Sequence, residues 1–244
     1  MENIIEIKSV SKKYKGFSLK NITFNIEKGK IAGLIGQNGN GKTTIIKCLL
    51  NLLLFEGKIS IFGMDNVEYD SQIKERVGFV FSECPFDEGL NACNIGTIMK
   101  SIYKKWSEQK YYEYLQKFSI PKKQKIKEYS RGMQVKLMLA VALSHEAEFL
   151  ILDEPTSGLD PIFRREILSE LKKFVSDGKS SVLFSTHITS DLEQIADNII
   201  FVSNGSIIFN GSIKEMLGKY EKNMEESVST IDDIMTKMID RGVK

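Results

Sequence analysis

Residues 4–8 and 18–26 alternate apolar and polar side chains. That period of two predicts half-buried antiparallel strands near the N-terminus. The pattern then shifts to short, continuous apolar runs. Lys30-Ile31-Ala32-Gly33-Leu34-Ile35 reads as a strand, Ser181-Val182-Leu183-Phe184-Ser185 as a buried strand, and Phe149-Leu150-Ile151-Leu152 as a strand covered on both faces, the habit of a parallel sheet. Lys58-Ile59-Ser60-Ile61-Phe62, before Gly63, is a further strand, and Ile45 to Leu50 is a buried helix. From about 85 to 140 the pattern is helical and rich in Lys and Tyr, and residues 147–203 return to strand-helix alternation. The Asn204-Gly205 turn leads into a last strand, Ser206 to Phe209. The expected fold is α/β, with a mostly parallel sheet and an N-terminal antiparallel portion. No internal repeat or Pro- or Ser-rich linker divides it.

The tail carries its own signals. Thr230-Ile231-Asp232-Asp233 has the form of a capping box. Ile231, Ile234, Met235, Met238 and Ile239 then fall on one helical face, and Gly242 offers a stop. That face packs on the body of its own chain or serves a dimer or regulatory contact, and the first is favoured.

Composition narrows the class. With 244 residues and 42% hydrophobic content the chain can bury a large core without staples. A formal net charge of +2 is too small to argue for nucleic acid as a partner. No apolar run reaches the roughly 18–20 residues of a membrane span, and the N-terminus lacks a signal-peptide pattern. Cys48, Cys84 and Cys93 lack metal spacing and are odd in number, as reduced packing thiols of a cytoplasmic protein would be.

The strongest chemical signal is Gly36-Gln37-Asn38-Gly39-Asn40-Gly41-Lys42-Thr43-Thr44, set between a strand and a helix. Glycines let consecutive N–H groups turn inward on a phosphate. Lys42 brings a charge for the β- and γ-phosphates, and Thr43 a hydroxyl for Mg²⁺. The stretch Gly36, Asn38 to Thr44 is therefore a candidate nucleoside-triphosphate site. A second signal closes the strand at 149–152 with Asp153 and Glu154. Ligands of parallel sheets bind at the carboxyl ends of strands. Asp153 is placed to reach Mg²⁺, and Glu154 to orient and deprotonate the attacking water.

A third segment, Tyr129-Ser130-Arg131-Gly132-Met133-Gln134, precedes an apolar helix. Ser130 can cap it, and its N-terminus beside Gly132 is a second anion site. One chain with one P-loop needs that second site only for a partner's nucleotide.

Over residues 3–213 the sequence resembles the nucleotide-binding subunits of ATP-binding cassette (ABC) transporters. The motifs stand in the family's order. Tyr14 matches the aromatic residue that stacks on adenine, and Ser130 and Gly132 match the signature. Asp153 and Glu154 match the metal-linked and catalytic carboxylates, Ser157-Gly158-Leu159-Asp160 resembles the loop crossing the dimer interface, and His187 matches the switch histidine. The resemblance implies a P-loop NTPase core with an inserted helical subdomain at about 85–140. It further implies a cassette over 1–213, and the tail's own pattern makes 214–244 a C-terminal helical extension. Two cassettes would sandwich ATP and Mg²⁺ head to tail on the cytoplasmic face, bound to an integral membrane transporter subunit. The rival class is a soluble ABC ATPase acting on nucleic acid, ribosomes or protein assembly. It is disfavoured by the absence of a long coiled coil and of a second cassette.

Two departures stand out. Arg131 and Met133 replace the Gly and Gln usual in the signature. At Val80-Phe81-Ser82-Glu83, Ser82 aligns with a Gln that touches the metal. Glu83, longer and charged, either substitutes as a metal ligand or faces solvent before Pro85. Other residues read as structural. His145 sits where a cation suits a helix dipole, the run Lys122, Lys123, Lys125 and Lys127 is read as a solvated surface ahead of an anionic-lipid contact, and Trp106, Tyr103, Tyr111 and Tyr112 as core aromatics ahead of a protein contact.

Overall fold

The computed structural model describes residues 2–221 and 230–240. Strands β1 (Asn3–Tyr14) and β2 (Phe17–Glu27) form the long antiparallel hairpin that the alternation predicts. Ile5, Ile7, Leu19, Ile22, Phe24 and Ile26 point to one buried face, because alternate residues of a strand share a side. Strand β3 (Ile31–Ile35) runs into the glycine-rich loop and helix α1 (Lys42–Leu49). Strands β4 (Glu56–Ile61) and β5 (Met64–Asp65) return to the first sheet, which is ordered β2-β1-β4-β5.

The chain continues through α2 (Asp70–Lys74), β6 (Val77–Val80), α3 (Ala92–Ile102), α4 (Glu108–Lys117) and α5 (Arg131–Leu143). Three of these helices start on side-chain caps: Asn91 in a capping box for α3, Ser107 for α4 and Ser130 for α5. Then follow β7 (Phe149–Asp153), α6 (Pro161–Val175), β8 (Ser181–Thr186), α7 (Thr189–Ile195), β9 (Asn198–Ser203) and β10 (Ser206–Gly211). The second sheet is ordered β10-β9-β3-β8-β7-β6. All its pairs are parallel except the hairpin β9-β10.

That sheet carries apolar side chains on both faces, which explains the continuous runs. Ala32, Leu34, Phe149, Ile151, Leu183, Ile200 and Val202 join α1 and the antiparallel sheet in one core. Ile31, Ile35, Leu150, Leu152, Val182, Phe184, Ile199 and Phe201 face the other way, onto α5, α6 and α7. Gly33 has no side chain because Leu192 of α7 occupies the space a Cβ would need. With each strand locked between two cores, the carboxyl ends of β3, β7 and β8 are held in fixed register.

Helices α8 (Ile213–Glu221) and α9 (Ile231–Asp240) follow the last strand. The capping box of α9 is formed, with Thr230 Oγ1 accepting from Asp233 N–H at 3.1 Å and Asp233 Oδ2 from Thr230 N–H at 3.0 Å. Ile231, Ile234 and Met235 are buried in the same core as Leu192, Ile195 and Met216. The tail helix therefore packs on its own chain. The side chains of Met238 and Ile239, and Gly242, lie outside the described residues. No helix among the described residues is long and apolar enough to cross a membrane.

One expectation is corrected. His145, placed by its position as a cation for a helix dipole, is completely buried just past α5 and stacks on Tyr103 at 3.9 Å between ring centroids. Burial holds its imidazole below the ordinary histidine range, outweighing backbone hydrogen bonding at Glu75. Neutral and packed, it is structural for a reason other than charge. Tyr111 is fully buried with Trp106 and Tyr112 against it, as core aromatics should be. Lys122, Lys123, Lys125 and Lys127 are all exposed. Burial pushes the Cys48 thiol up to about 11, so it packs as a neutral side chain.

Candidate functional site

The site lies where β3, β7 and β8 end side by side. The loop after β3 turns through Gly39 and Gly41, whose φ of +84° and +107° are left-handed and favour glycine. A Cβ on Gly41 would come within 2.6 Å of Leu19 Cδ2 and 2.8 Å of Phe17 Cζ, so only glycine passes beneath the β2 hairpin. On Gly36 it would lie 2.4 Å from the Val202 carbonyl. Asn40 ties the loop to the β9-β10 hairpin: its Nδ2 donates to Val202 O at 3.4 Å and its Oδ1 accepts from Asn204 N–H at 3.3 Å. The cavity over the loop measures about 270 Å³. Gln37, Asn38, Gly39, Gly41, Lys42, Thr43, Thr44 and Glu154 line it together with Phe17.

Two clusters form its floor. Lys42 is buried, and its Nζ donates to Gly36 O at 2.7 Å and Gln37 O at 3.4 Å. The same ammonium lies 3.2 Å from Glu154 Oε1, and Glu154 Oε2 lies 2.7 Å from Nδ1 of His187. Beside it, Asp153 accepts from Thr43 Oγ1 at 2.9 Å and from Ser185 Oγ at 2.5 Å, one bond to each carboxylate oxygen. Ser185 also accepts from Glu154 N–H, 3.1 Å from its Oγ, while its backbone oxygen lies 3.1 Å from the same nitrogen.

Glu154 is held in a left-handed conformation, φ +51°, at the end of β7. For a non-glycine residue this costs of order 1–3 kcal/mol, and it persists where surrounding bonds enforce it. The Ser185 bonds supply that enforcement and swing the carboxylate between Lys42 and His187. Ser185 is a site residue the sequence reading passed over. Its signal was a hydroxyl at the end of an otherwise apolar strand.

The remaining expected residues lie elsewhere in the chain. Tyr14 is 40% exposed beneath the Lys12 ammonium, and Phe17, three residues on, is the aromatic lining the cavity. Ser130 caps α5, accepting from Met133 N–H at 3.3 Å, and is open to solvent. Gly132 packs below Phe163 and Leu159. Neither lines the P-loop cavity of its own chain. Ser82 and Glu83 line a separate cavity of about 320 Å³ with Arg131, Gln134 and Glu88. Arg131 Nε donates to Ser157 O at 3.0 Å, so the arginine that replaces the usual glycine joins the signature to the loop at 157–160.

A phosphate-binding loop opposite paired carboxylates at the ends of parallel strands defines a P-loop nucleotide hydrolase. The sequence model of the ABC transporter family matches residues 19–157, more than half of the chain. The chain belongs to the ABC transporter family, as an ATP-binding subunit with ATPase activity. The bacitracin transport ATP-binding protein BcrA of Enterococcus faecalis is 34% identical over 233 residues, covering 94% of this chain and 76% of the relative. The lantibiotic transport ATP-binding protein SrtF of Streptococcus pyogenes is 34% identical, covering 91% and 95%. Among solved structures, an ATP-binding subunit of an ABC transporter superposes with a TM-score of 0.86 at 24% identity, covering 97% of this chain and 99% of that one. A dimeric, post-hydrolysis ATP-binding cassette bound to ADP and Pi gives 0.77 at 23% identity, covering 86% and 98%. These likenesses extend to the fold, including the antiparallel sheet beside the mostly parallel P-loop core.

Proposed function

We propose that the chain hydrolyses Mg-ATP as half of a head-to-tail dimer and drives transport through a separate membrane-spanning subunit on the cytoplasmic face. The observation that carries this reading is the convergence of Lys42, Glu154 and His187 beside Thr43, Asp153 and Ser185. Residues 1–213 act as the cassette and 214–244 as a C-terminal extension.

Lys42 is held at the loop by two backbone carbonyls and by Glu154, and its ammonium exchanges part of this set of three contacts for the β- and γ-phosphates when ATP binds. Backbone N–H groups of the loop and of the start of α1 complete the phosphate cradle, apart from that of Asn40, which donates to Gln37 O at 3.2 Å. Glu154 is the general base. It takes a proton from water as the water oxygen bonds to the γ-phosphorus and the bond to the bridging oxygen of ADP breaks. His187, hydrogen-bonded to Glu154, orients that carboxylate and faces the γ-phosphate. The Thr43 hydroxyl and Asp153 carboxylate are hard oxygen donors, already in contact, and would hold Mg²⁺. The ion neutralises charge on the phosphates when bound.

Ser130 and Gly132 are separate from the P-loop cavity of their own chain, and the exposed N-terminus of α5 is free to meet phosphate on a second subunit. This supports the dimer. The relatives are named as transport ATP-binding proteins, which supports a membrane partner.

Glu154→Gln keeps the shape of the side chain but cannot accept the proton. We expect turnover to fall by about 10²–10⁴-fold with ATP binding retained and an ATP-bound dimer accumulating on size exclusion. Turnover at the wild-type rate would remove Glu154 from its role.

A further inference from the structure

We propose that Arg164 is a positioning residue for His187, carrying movement of the loop at 157–160 to the hydrolytic carboxylate. The inference rests on the proposed role of His187.

His187 stands between β8 and α7. Ile188 at the start of α7 provides no side-chain cap, so the first turn depends on contacts with other elements. The local bonds are an Ile188 N–H to Thr186 Oγ1 contact at 2.9 Å and an Asp191 N–H to Ile188 O contact at 3.2 Å. The missing constraint comes from another helix. Arg164 of α6 donates from Nε at 3.1 Å and from Nη2 at 2.5 Å to Asp191 Oδ1, and from Nη2 to Ser190 Oγ at 3.2 Å. Asp191 is 1% exposed. Its carboxylate is thus buried in the first turn of α7 with the guanidinium as its charge partner: Nε and Nη2 of the planar fork converge on the single oxygen Oδ1, while Oδ2 takes no hydrogen bond.

The other end of the connection is equally short. Asp160 caps α6, accepting from Ile162 and Phe163 N–H at 3.1 and 3.0 Å, and Arg164 N–H donates to Asp160 O at 3.0 Å. Ser157 O receives Arg131 Nε at 3.0 Å. One rigid helical turn therefore separates the loop at 157–160 from the fork on α7. A shift of that loop against a second subunit rotates the first turn of α6 and, through Arg164, moves the start of α7. His187, two residues before α7, then shifts against Glu154. Leu192 of the same helix is pinned over Gly33 of β3, so α7 pivots rather than slides.

The test compares Mg-ATPase kinetics and melting of Arg164→Lys and Asp191→Asn with those of Lys136→Gln. Lys136 of α5 pairs with Glu166 of α6 at 3.2 Å but does not reach α7. Arg164→Lys keeps the charge and loses the fork. We expect its kcat to fall on the order of tenfold, as a misplaced catalytic group does, with KM for ATP within about twofold. Asp191→Asn should behave alike, giving a second reading if either variant is poorly folded. Lys136→Gln should keep wild-type kcat. In single turnovers with a His187→Ala background, Arg164→Lys should cost nothing further, since the group it positions is gone. Wild-type kcat in both fork variants, or an equal additional loss without His187, overturns the inference. Should His187→Ala itself turn over normally, the proposed function fails instead.

Discussion

Glu83 shows how far residue identity can carry a reading. A carboxylate beside a missing amide is chemically suited to a metal, yet Glu83 is exposed and lines the cavity beneath the signature helix with Arg131 and Gln134. Thr43 and Asp153 already meet at 2.9 Å without it. We expect Glu83→Ala to leave the Mg²⁺ concentration for half-maximal activity within about twofold, as exposed substitutions away from a site do. A several-fold rise in the Mg²⁺ titration would return Glu83 to the metal set. The residues read most easily from sequence were those whose chemistry is written in neighbouring positions: Lys42 and Thr43 in the loop, and Asp153 and Glu154 at a strand end. Ser185 and Phe17 were not read, because their partners lie 32 and 24 residues away, at Asp153 and Gly41, across strand register and hairpin packing.

At the scale of elements, periodicity predicted β1 to β4, β7, β8, β10 and the tail helix, since burial on one face or two leaves a repeating imprint, whereas β5, β6 and β9 were not read individually. It did not separate β4 from the central sheet. Lys58 to Phe62 reads as an ordinary strand, and only pairing with β1 assigns it to the antiparallel layer. The tail helix α9 was legible as an element, whereas its seat against α7 was not. Ile231 N–H donates to Glu193 Oε1 at 3.0 Å, and Ile234 is fully buried. Truncating Ile234 to Ala should leave a cavity and destabilise the chain by about 2–5 kcal/mol. In a chain of this size that lowers Tm by roughly 4–20 °C. A thermal melt within about 0.5 kcal/mol of wild type would detach α9 from the core.

At the scale of the whole molecule, the separation of Ser130 and Gly132 from the P-loop cavity makes a prediction about assembly. Lys42→Ala should lose nucleotide affinity, and Ser130→Ala should retain it while hydrolysis falls. If each nucleotide lies between one P-loop and the other subunit's signature, mixing the two variants creates one intact site in every heterodimer. With random exchange of a symmetric dimer, activity should recover to roughly a quarter of wild type. No recovery on mixing would mean that both motifs serve the same chain's nucleotide.

The sequence by itself determined the nucleotide chemistry, the strand and helix types and the family, because phosphate binding and strand burial depend on residues adjacent in the chain. The tertiary structure decided which carboxylate meets Lys42 and His187, how Ser185 holds Glu154 in a left-handed turn, and how Arg164 joins α6 to α7. Those contacts depend on strand order and helix docking. Both are set by side-chain packing between distant segments, and no local pattern encodes them.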